Sequence, residues 1–327
     1  MIDLAALMTL TGDKREEIDG KFEEILVTLR KSNLSPIRAI EIIIIFFTDT
    51  IDICSRATVG ELMDLIRNFI HRIIVACPTL YVVFNIGHLF FDYITSVVEY
   101  DCSLSPNAPR FKAFLKKQRS TIRTEMESIP IEAISMLNTT HDTILTIGYS
   151  SLVKRMLLKT KDDKTRTIDV IIAERAPFYD GRRMASELSA SGVSVTLIPD
   201  CCIANVIKRV TKIFLEPVCV LMDGSILTYA GADLVATIGH TYKIPIIVLS
   251  PHILFTNSPS IKVSHLTAPP SFVTIKRDES LEKLTRDSYV DVLVPKYTII
   301  KHKFISTIVV GGYGKLSPSQ VFIVTPK

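Results

Sequence analysis

The sequence carries no Cys-x-x-Cys pair, no Gly-x-Gly-x-x-Gly fingerprint and no large excess of either charge, and each absence removes a class of function. Six cysteines stand at 54, 77, 102, 201, 202 and 219, and the seven histidines do not cluster. Cys201 and Cys202 are adjacent, a poor geometry for two ligands on one metal, so reduced thiols used as small apolar residues are expected, and no metal site. The 38 basic and 34 acidic residues leave a net charge of +4, too balanced to argue for direct nucleic-acid binding. Long uncharged runs are scarce as well. Ile73 to Phe91 lacks Asp, Glu, Lys and Arg and approaches the ~20 residues of a spanning helix. It is broken by Pro78 and also holds Asn85, Gly87 and His88, so no membrane span is expected. The start, MIDLAALMTLTGDKREE, has no basic opening and does not read as a signal peptide.

What remains is a globular chain of 327 residues, 47% hydrophobic and 22% charged, long enough for two domains. A mean hydropathy of +0.32 is high, which fits a surface partly buried in partners. Residues 1–130 read as a helical domain. In GELMDLIRNFIHRII, Leu62, Leu65, Ile66, Phe69, Ile70, Ile73 and Ile74 fall on one helical face, and Glu61, Asp64, Arg67, Asn68 and Arg72 on the other. Ser35-Pro36 opens an earlier helix, Asp49 and Asp52 close the apolar run after it, and residues 102–110 read as a loop. Pro130 is expected to kink or restart its helix.

Residues 131–327 change period. Apolar runs at 143–148, 168–174, 193–198, 212–215 and 244–250 alternate with helical stretches, the pattern of a Rossmann-like, mostly parallel sheet in an α/β domain. Ser150 or Ser151 should cap the first of these helices, Asp180 the second and Asp200 the third. DGSILTYAG reads as loop before a helix, KDDKTR as a solvated turn, and 251–290 as a polar excursion. The turns TIGYSS and AERAPFYDG lie beyond strand carboxyl ends, where open α/β sheets bind ligands. Neither is a dinucleotide turn, since Gly148-Tyr-Ser-Ser offers one glycine. GGYGKLS at 311–317 is not a P-loop: Val309 stands where its first Gly belongs and Leu316 where Ser or Thr must follow Lys315. Ser150 lacks the flanking Gly of a nucleophile elbow.

TIGYSS, AERAPFYDGRRMASELSASGV, VTLIPD and DGSILTYAG together resemble the family that holds the alpha, beta and delta subunits of eukaryotic translation initiation factor 2B. Sugar-phosphate isomerases acting on methylthioribose-1-phosphate or ribose-1,5-bisphosphate belong to it too. GELMDLIR at 60–67 and GGYGKLSPS near the end favour the beta branch; GYSSLV and PSQV also suit delta. The resemblance implies a non-catalytic, cytosolic, regulatory subunit of the guanine-nucleotide exchange factor for initiation factor 2, without cofactor. Its implied partners are alpha- and delta-like homologues, the catalytic gamma and epsilon subunits, and initiation factor 2. The isomerases' Cys falls here on Gly148, their second-turn Arg on Ala176, their acid on Ser225, and their Asn-Lys on Thr228-Tyr229, so the catalytic set is degenerate. Tyr149, Ser150, Arg175, Asp180, Arg182, Arg183, Asp200 and Asp223 are then candidates for a vestigial pocket or a partner interface, with Arg175, Arg182 and Arg183 read as one group. The alternative is a diverged sugar-phosphate isomerase or a vestigial sugar-phosphate-binding subunit.

Overall fold

A computed structural model describes residues 12–30, 34–77, 80, 82–138, 140–161, 166–257 and 295–324. The opening residues, Pro78, most of KDDKTR and most of the 251–290 excursion lie outside the described residues. The chain divides into two compact units, Met1–Arg123 and Thr124–Lys327.

The first unit holds helices α1 (Gly12–Leu29), α2 (Pro36–Ile53), α3 (Val59–Ala76) and α4 (Val82–Val97). Ser35 caps α2 by accepting from Arg38 N, with Pro36 in the first turn, where its missing N–H costs nothing. Helix α2 runs through Asp49 and Asp52 to Ile53; Asp52 faces outward and pairs with Lys112 at 2.6 Å. In α3 the expected apolar face is buried at Leu62, Leu65, Ile66, Phe69, Ile70 and Ile73. Its start is a capping box: Glu61 N donates to Thr58 Oγ1 at 3.2 Å, and Thr58 N donates to Glu61 Oε2 at 2.8 Å. Thr58→Ala removes half of that reciprocal pair and should cost about 1 kcal/mol in denaturant unfolding. Phe22, Phe46 and Phe69 pack ring on ring, with Phe22 stacked on Phe69 at 4.6 Å. Among the described residues, no helix is long and apolar enough to cross a membrane.

Helix α5 (Ala108–Ile134) starts inside the segment read as a loop and continues through Pro130 without interruption. Proline at 130 deprives the Met126 carbonyl of its helical donor. Arg155 Nη1 donates to that oxygen at 3.3 Å instead, so the freed acceptor stays satisfied.

The second unit is built on β1 (His141–Ile147), β2 (Thr167–Ala173), β3 (Val195–Ile198), β4 (Lys212–Leu215), β7 (Ile246–Ser250), β9 (Thr307–Val310) and β10 (Gly314–Leu316). They form one sheet in the order β10-β9-β7-β4-β1-β2-β3, parallel except for the β9–β10 hairpin that holds GGYG. Helices α6 (Ser151–Lys161), α7 (Asp180–Ala190) and α9 (Ala232–Thr241) and a short α8 (Ile203–Val206) connect them. A second, antiparallel sheet joins β5 (Cys219–Val220), β6 (Ile226–Tyr229) and β8 (Tyr297–Ile300). DGSILTYAG therefore contains a strand, not loop alone. Its ILTY is almost wholly buried and shows no alternation, so period 2 could not reveal it.

The order of the large sheet reverses between β1 and β4. One half of the chain winds outward through β2 and β3, the other through β7 and β9. The carboxyl ends of β1 and β4 thus flank a topological switch point, the place where such sheets open a ligand crevice. At the opposite end of the same two strands, buried Asp142 accepts from Lys212 Nζ, Thr211 Oγ1, Asn138 N and Asn138 Nδ2, which ties the amino ends together.

Candidate functional site

The crevice edge is built from the turns after β1, β2 and β4. After β1, Gly148 turns the chain at φ 65° and Ser150 begins α6, its Oγ accepting from Val153 N at 3.1 Å. Ser150 is thus the cap anticipated at this position. After β4 comes Glu216, which sequence reasoning alone passes over. Its carboxylate accepts from Ser150 Oγ at 2.6 Å, Leu152 N at 3.2 Å and Ser151 Oγ at 3.4 Å. A helix N-terminus at a switch point is an anion site; here the chain's own carboxylate occupies it. Burial pushes the Glu216 carboxyl above its usual range, against these hydrogen bonds.

The turn after β2 is locked by two other carboxylates. Asp200 does not cap a helix. Its two oxygens accept from the backbone N–H of Arg175 at 2.8 Å and of Ala176 at 2.7 Å, because the residues after Pro199 begin a 3-10 turn whose start lies against this loop. Asp180 does not cap α7 either. Tyr179, in left-handed conformation at φ 54°, precedes the helix, and Asp180 instead takes the Arg175 side chain in a two-point grip, Nε to Oδ1 at 2.8 Å and Nη2 to Oδ2 at 2.5 Å. The guanidinium lies over the rings of Phe178 at 4.7 Å and Tyr229 at 4.5 Å. Burial raises the Tyr229 hydroxyl well above its ordinary value, and Tyr297 adds to the shift.

Arg175 is therefore not part of an exposed basic group. Its side chain is 6% exposed, against 57% for Arg182 and 67% for Arg183. The three separate because Arg175 points into the crevice from a left-handed backbone (φ 59°), whereas the other two lie on the outer face of α7. Arg182 pairs with Glu174 and lies over Tyr179 at 4.0 Å. Arg183 pairs with Glu187 and lies over Tyr149 at 4.5 Å. Tyr149 OH donates to Glu187 at 2.9 Å and accepts from Lys154 Nζ at 2.8 Å, and Lys154 also reaches Glu187 at 2.6 Å.

Gly148 and Ser225, two positions that the resemblance sets against isomerase residues, both lie in occupied surroundings. A Cβ on Gly148 would lie 2.9 Å from both Arg175 Nε and Asp180 Oδ1, so the ion pair takes the room of a side chain there. Ser225 is buried, donates to Asp223 Oδ2 at 2.8 Å and accepts from His302 N at 3.1 Å. Asp223 also accepts from Ser225 N at 2.9 Å, which makes it a local turn brace. The structure thus gathers Gly148, Ser150, Arg175, Asp180, Glu216 and Tyr229 at the crevice, braces Ala176 through Asp200, and sets Tyr149 and Arg183 on the outer surface with Lys154 and Glu187. Among the described residues no group of three His, Cys, Asp or Glu is placed to hold a metal.

Two carboxylates in this region give opposite pH signatures. Hydrogen bonds from Lys154 and Arg183 hold the Glu187 carboxyl at about 2, below the 4.5 of an unperturbed glutamate. Its contribution is present above pH 4.5 and is lost as pH falls toward 2. Glu216 is raised from 4.5, so its contribution is fullest below that value and declines as pH rises through its folded pKa. Glu187→Gln should therefore flatten the wild-type loss of stability below pH 4.5, and Glu216→Gln the decline above it. Melting temperatures followed from pH 2 to 8 separate the two. The Glu187 effect stays small, in the range of about 0.2–1 kcal/mol for partly exposed pairs.

A family model described as the initiation factor 2 subunit family matches residues 30–318. The chain is 26% identical over 152 residues to translation initiation factor eIF2B subunit beta of Dictyostelium discoideum, covering 45% of this chain and 38% of that protein. It is 26% identical over 201 residues to subunit beta of Schizosaccharomyces pombe, covering 59% and 48%. The matches thus span less than half the length of these two relatives. Among solved structures, the tetrameric eIF2B-beta2-delta2 complex from C. thermophilum superposes with a TM-score of 0.71 at 17% identity, covering 94% of each chain. A 5-methylthioribose 1-phosphate isomerase from Pyrococcus horikoshii OT3 gives 0.68 at 16%, covering 93% of this chain and 88% of the other. At such identities the likeness is one of fold.

Proposed function

Because the chain belongs to the initiation factor 2 subunit family, we propose that it is a non-catalytic regulatory subunit of the guanine-nucleotide exchange factor for translation initiation factor 2. It pairs with a delta-like homologue through the α/β unit, joins alpha-like subunits in a regulatory core, and supports the catalytic gamma and epsilon subunits. The assembly works in the cytosol, takes no cofactor and no nucleic acid through this chain, and binds initiation factor 2 directly. The outer face of α7, with Tyr149, Arg182 and Arg183, is the surface of this chain we assign to partners.

The observation that carries this reading is the filled crevice. Moving a proton between adjacent sugar carbons needs a phosphate clamp and an acid–base pair. In this chain the α6 N-terminus is taken by Glu216, the second-turn N–H groups by Asp200, and the one buried arginine there by Asp180. The fold shared with an isomerase does not restore those groups, since function resides in the site. Purified alone, the chain is expected neither to release GDP from initiation factor 2 nor to isomerise either pentose phosphate. Affinity capture from its native cells should return homologous subunits and initiation factor 2. Recovery of neither, or turnover of a sugar phosphate by the purified chain, would overturn the proposal.

A further inference from the structure

Helices α2 and α5 carry two matched stripes in the helical unit. Glu41, Ile45, Thr48 and Asp52 share one face of α2, and Lys112, Lys116, Arg119 and Arg123 share one face of α5. Both sets follow the spacing i, i+4, i+7, i+11, which keeps side chains in line along a helix. The ends of the stripes are joined by ion pairs. Asp52 accepts from Lys112 Nζ at 2.6 Å, and Glu41 pairs with Arg123 Nε at 3.5 Å. The two stripes therefore face each other antiparallel and in register, with Arg119 opposite Ile45 and Lys116 opposite Thr48. Neither opposing residue neutralises a cation: Ile45 is apolar, and the Thr48 hydroxyl already donates to Ile44 O at 2.8 Å. Ile45 is 41% exposed, Lys116 is exposed and Arg119 half-buried. Among the described residues, Arg119 Nε is a buried donor with no hydrogen-bond partner. An ordinary solvated row of charges leaves its donors in water; a donor buried and unmet is costly.

We propose that the middle of this strip docks an acidic segment of a partner protein, its carboxylates on Lys116 and Arg119 and an apolar side chain on Ile45. A guanidinium offers a carboxylate two parallel N–H groups, which suits Arg119 to this role. The flanking ion pairs fix the two helices and frame the cations between them. They also select the occupant. Glu41 and Asp52 stand at the two ends of the strip, about 16 Å apart along α2, and repel an extended phosphate chain. The strip presents no aromatic ring on which bases could stack. An acidic protein segment with one apolar residue meets all three features, and it uses a surface separate from the α7 face assigned above.

Fluorescence anisotropy with the intact chain and a fluorescein-labelled Glu-Leu-Glu-Glu-Leu-Glu peptide provides the test. Saturable binding that weakens as salt is raised is expected. Lys116→Glu and Arg119→Gln should each weaken it about tenfold or more, as when one partner of an interfacial charge pair is removed. Lys116 is exposed, so its variant keeps the fold, and circular dichroism melting checks both. Lys117→Glu makes the same change of charge one residue off the strip and should leave binding nearly unchanged. Ile45→Ser should weaken binding of this peptide but not of one with serine in place of both leucines. No saturable binding, equal losses in Lys116→Glu and Lys117→Glu, or displacement of the peptide by an equal concentration of oligouridylate would overturn the proposal.

Discussion

Arg175→Ala should lower the stability of the α/β unit by about 3–5 kcal/mol, the range for removing one member of a buried ion pair. The guanidinium is 6% exposed, grips both oxygens of Asp180 and lies over two rings. Truncation leaves the Asp180 carboxylate, 23% exposed, without its counter-charge, and opens a gap beside Gly148, Phe178 and Tyr229. Arg175→Lys should recover little, because an ammonium cannot reproduce the planar two-point contact or the stacking. The informative variant replaces both partners, Arg175→Met with Asp180→Leu. Charge is then absent and the volume is kept, so most of the loss should return. Chemical denaturation of the three variants decides the matter. A single-variant loss below about 1 kcal/mol would place the pair among ordinary surface salt bridges.

Arg175 also shows what can be read from sequence and what cannot. The alternation after residue 143 announces the parallel sheet, and five of its strands stand close to where apolar runs lie. Ser35-Pro36 and the apolar face of α3 are readable because local rules decide them: a cap, a first-turn proline and a period of 3.6. TIGYSS and AERAPFYDG carry the family resemblance, and the family match over residues 30–318 agrees with it. What stays hidden depends on contacts far apart in the chain. Asp180 and Asp200 precede helical stretches and look like caps, yet one meets Arg175 and the other the backbone of the preceding turn. Pro130 looks like a break until Arg155, 29 residues beyond Met126, supplies the missing donor. Glu216 has a usable signal, since it directly follows the apolar run KIFL at a strand's carboxyl end, where the other two turns are already suspect. Its partner, the α6 N-terminus, lies 65 residues away at Ser151, and only the sheet order joins them.

Gly181→Ala should be the second costly change, at about 3 kcal/mol, the upper part of the range for overpacking a tight contact. A Cβ at Gly181 would lie 2.5 Å from the Ala173 carbonyl oxygen and 2.9 Å from Glu174 Cα. Both are backbone atoms at the end of β2, so no side-chain rotation relieves the clash and α7 itself must move away from the strand. Close helix-on-strand packing of this kind is one of the roles that glycine serves in nucleotide-binding α/β units; here it persists without the nucleotide fingerprint. The same substitution at Gly20 makes the contrast. Gly20 lies in α1, and a methyl group there would meet nothing within 4 Å. Alanine at that position should stabilise by about 0.4–1 kcal/mol through helix propensity and a less flexible unfolded chain. Opposite signs from one chemical change separate backbone crowding from a general intolerance of methyl groups. The displaced helix also bears Arg182, Arg183 and Glu187, the face assigned above to partners. Gly181→Ala should therefore weaken capture of a homologous subunit even at temperatures where circular dichroism shows the chain folded, while Gly20→Ala leaves capture unchanged. Equal capture by both folded variants would mean that α7 does not contribute to the pairing surface.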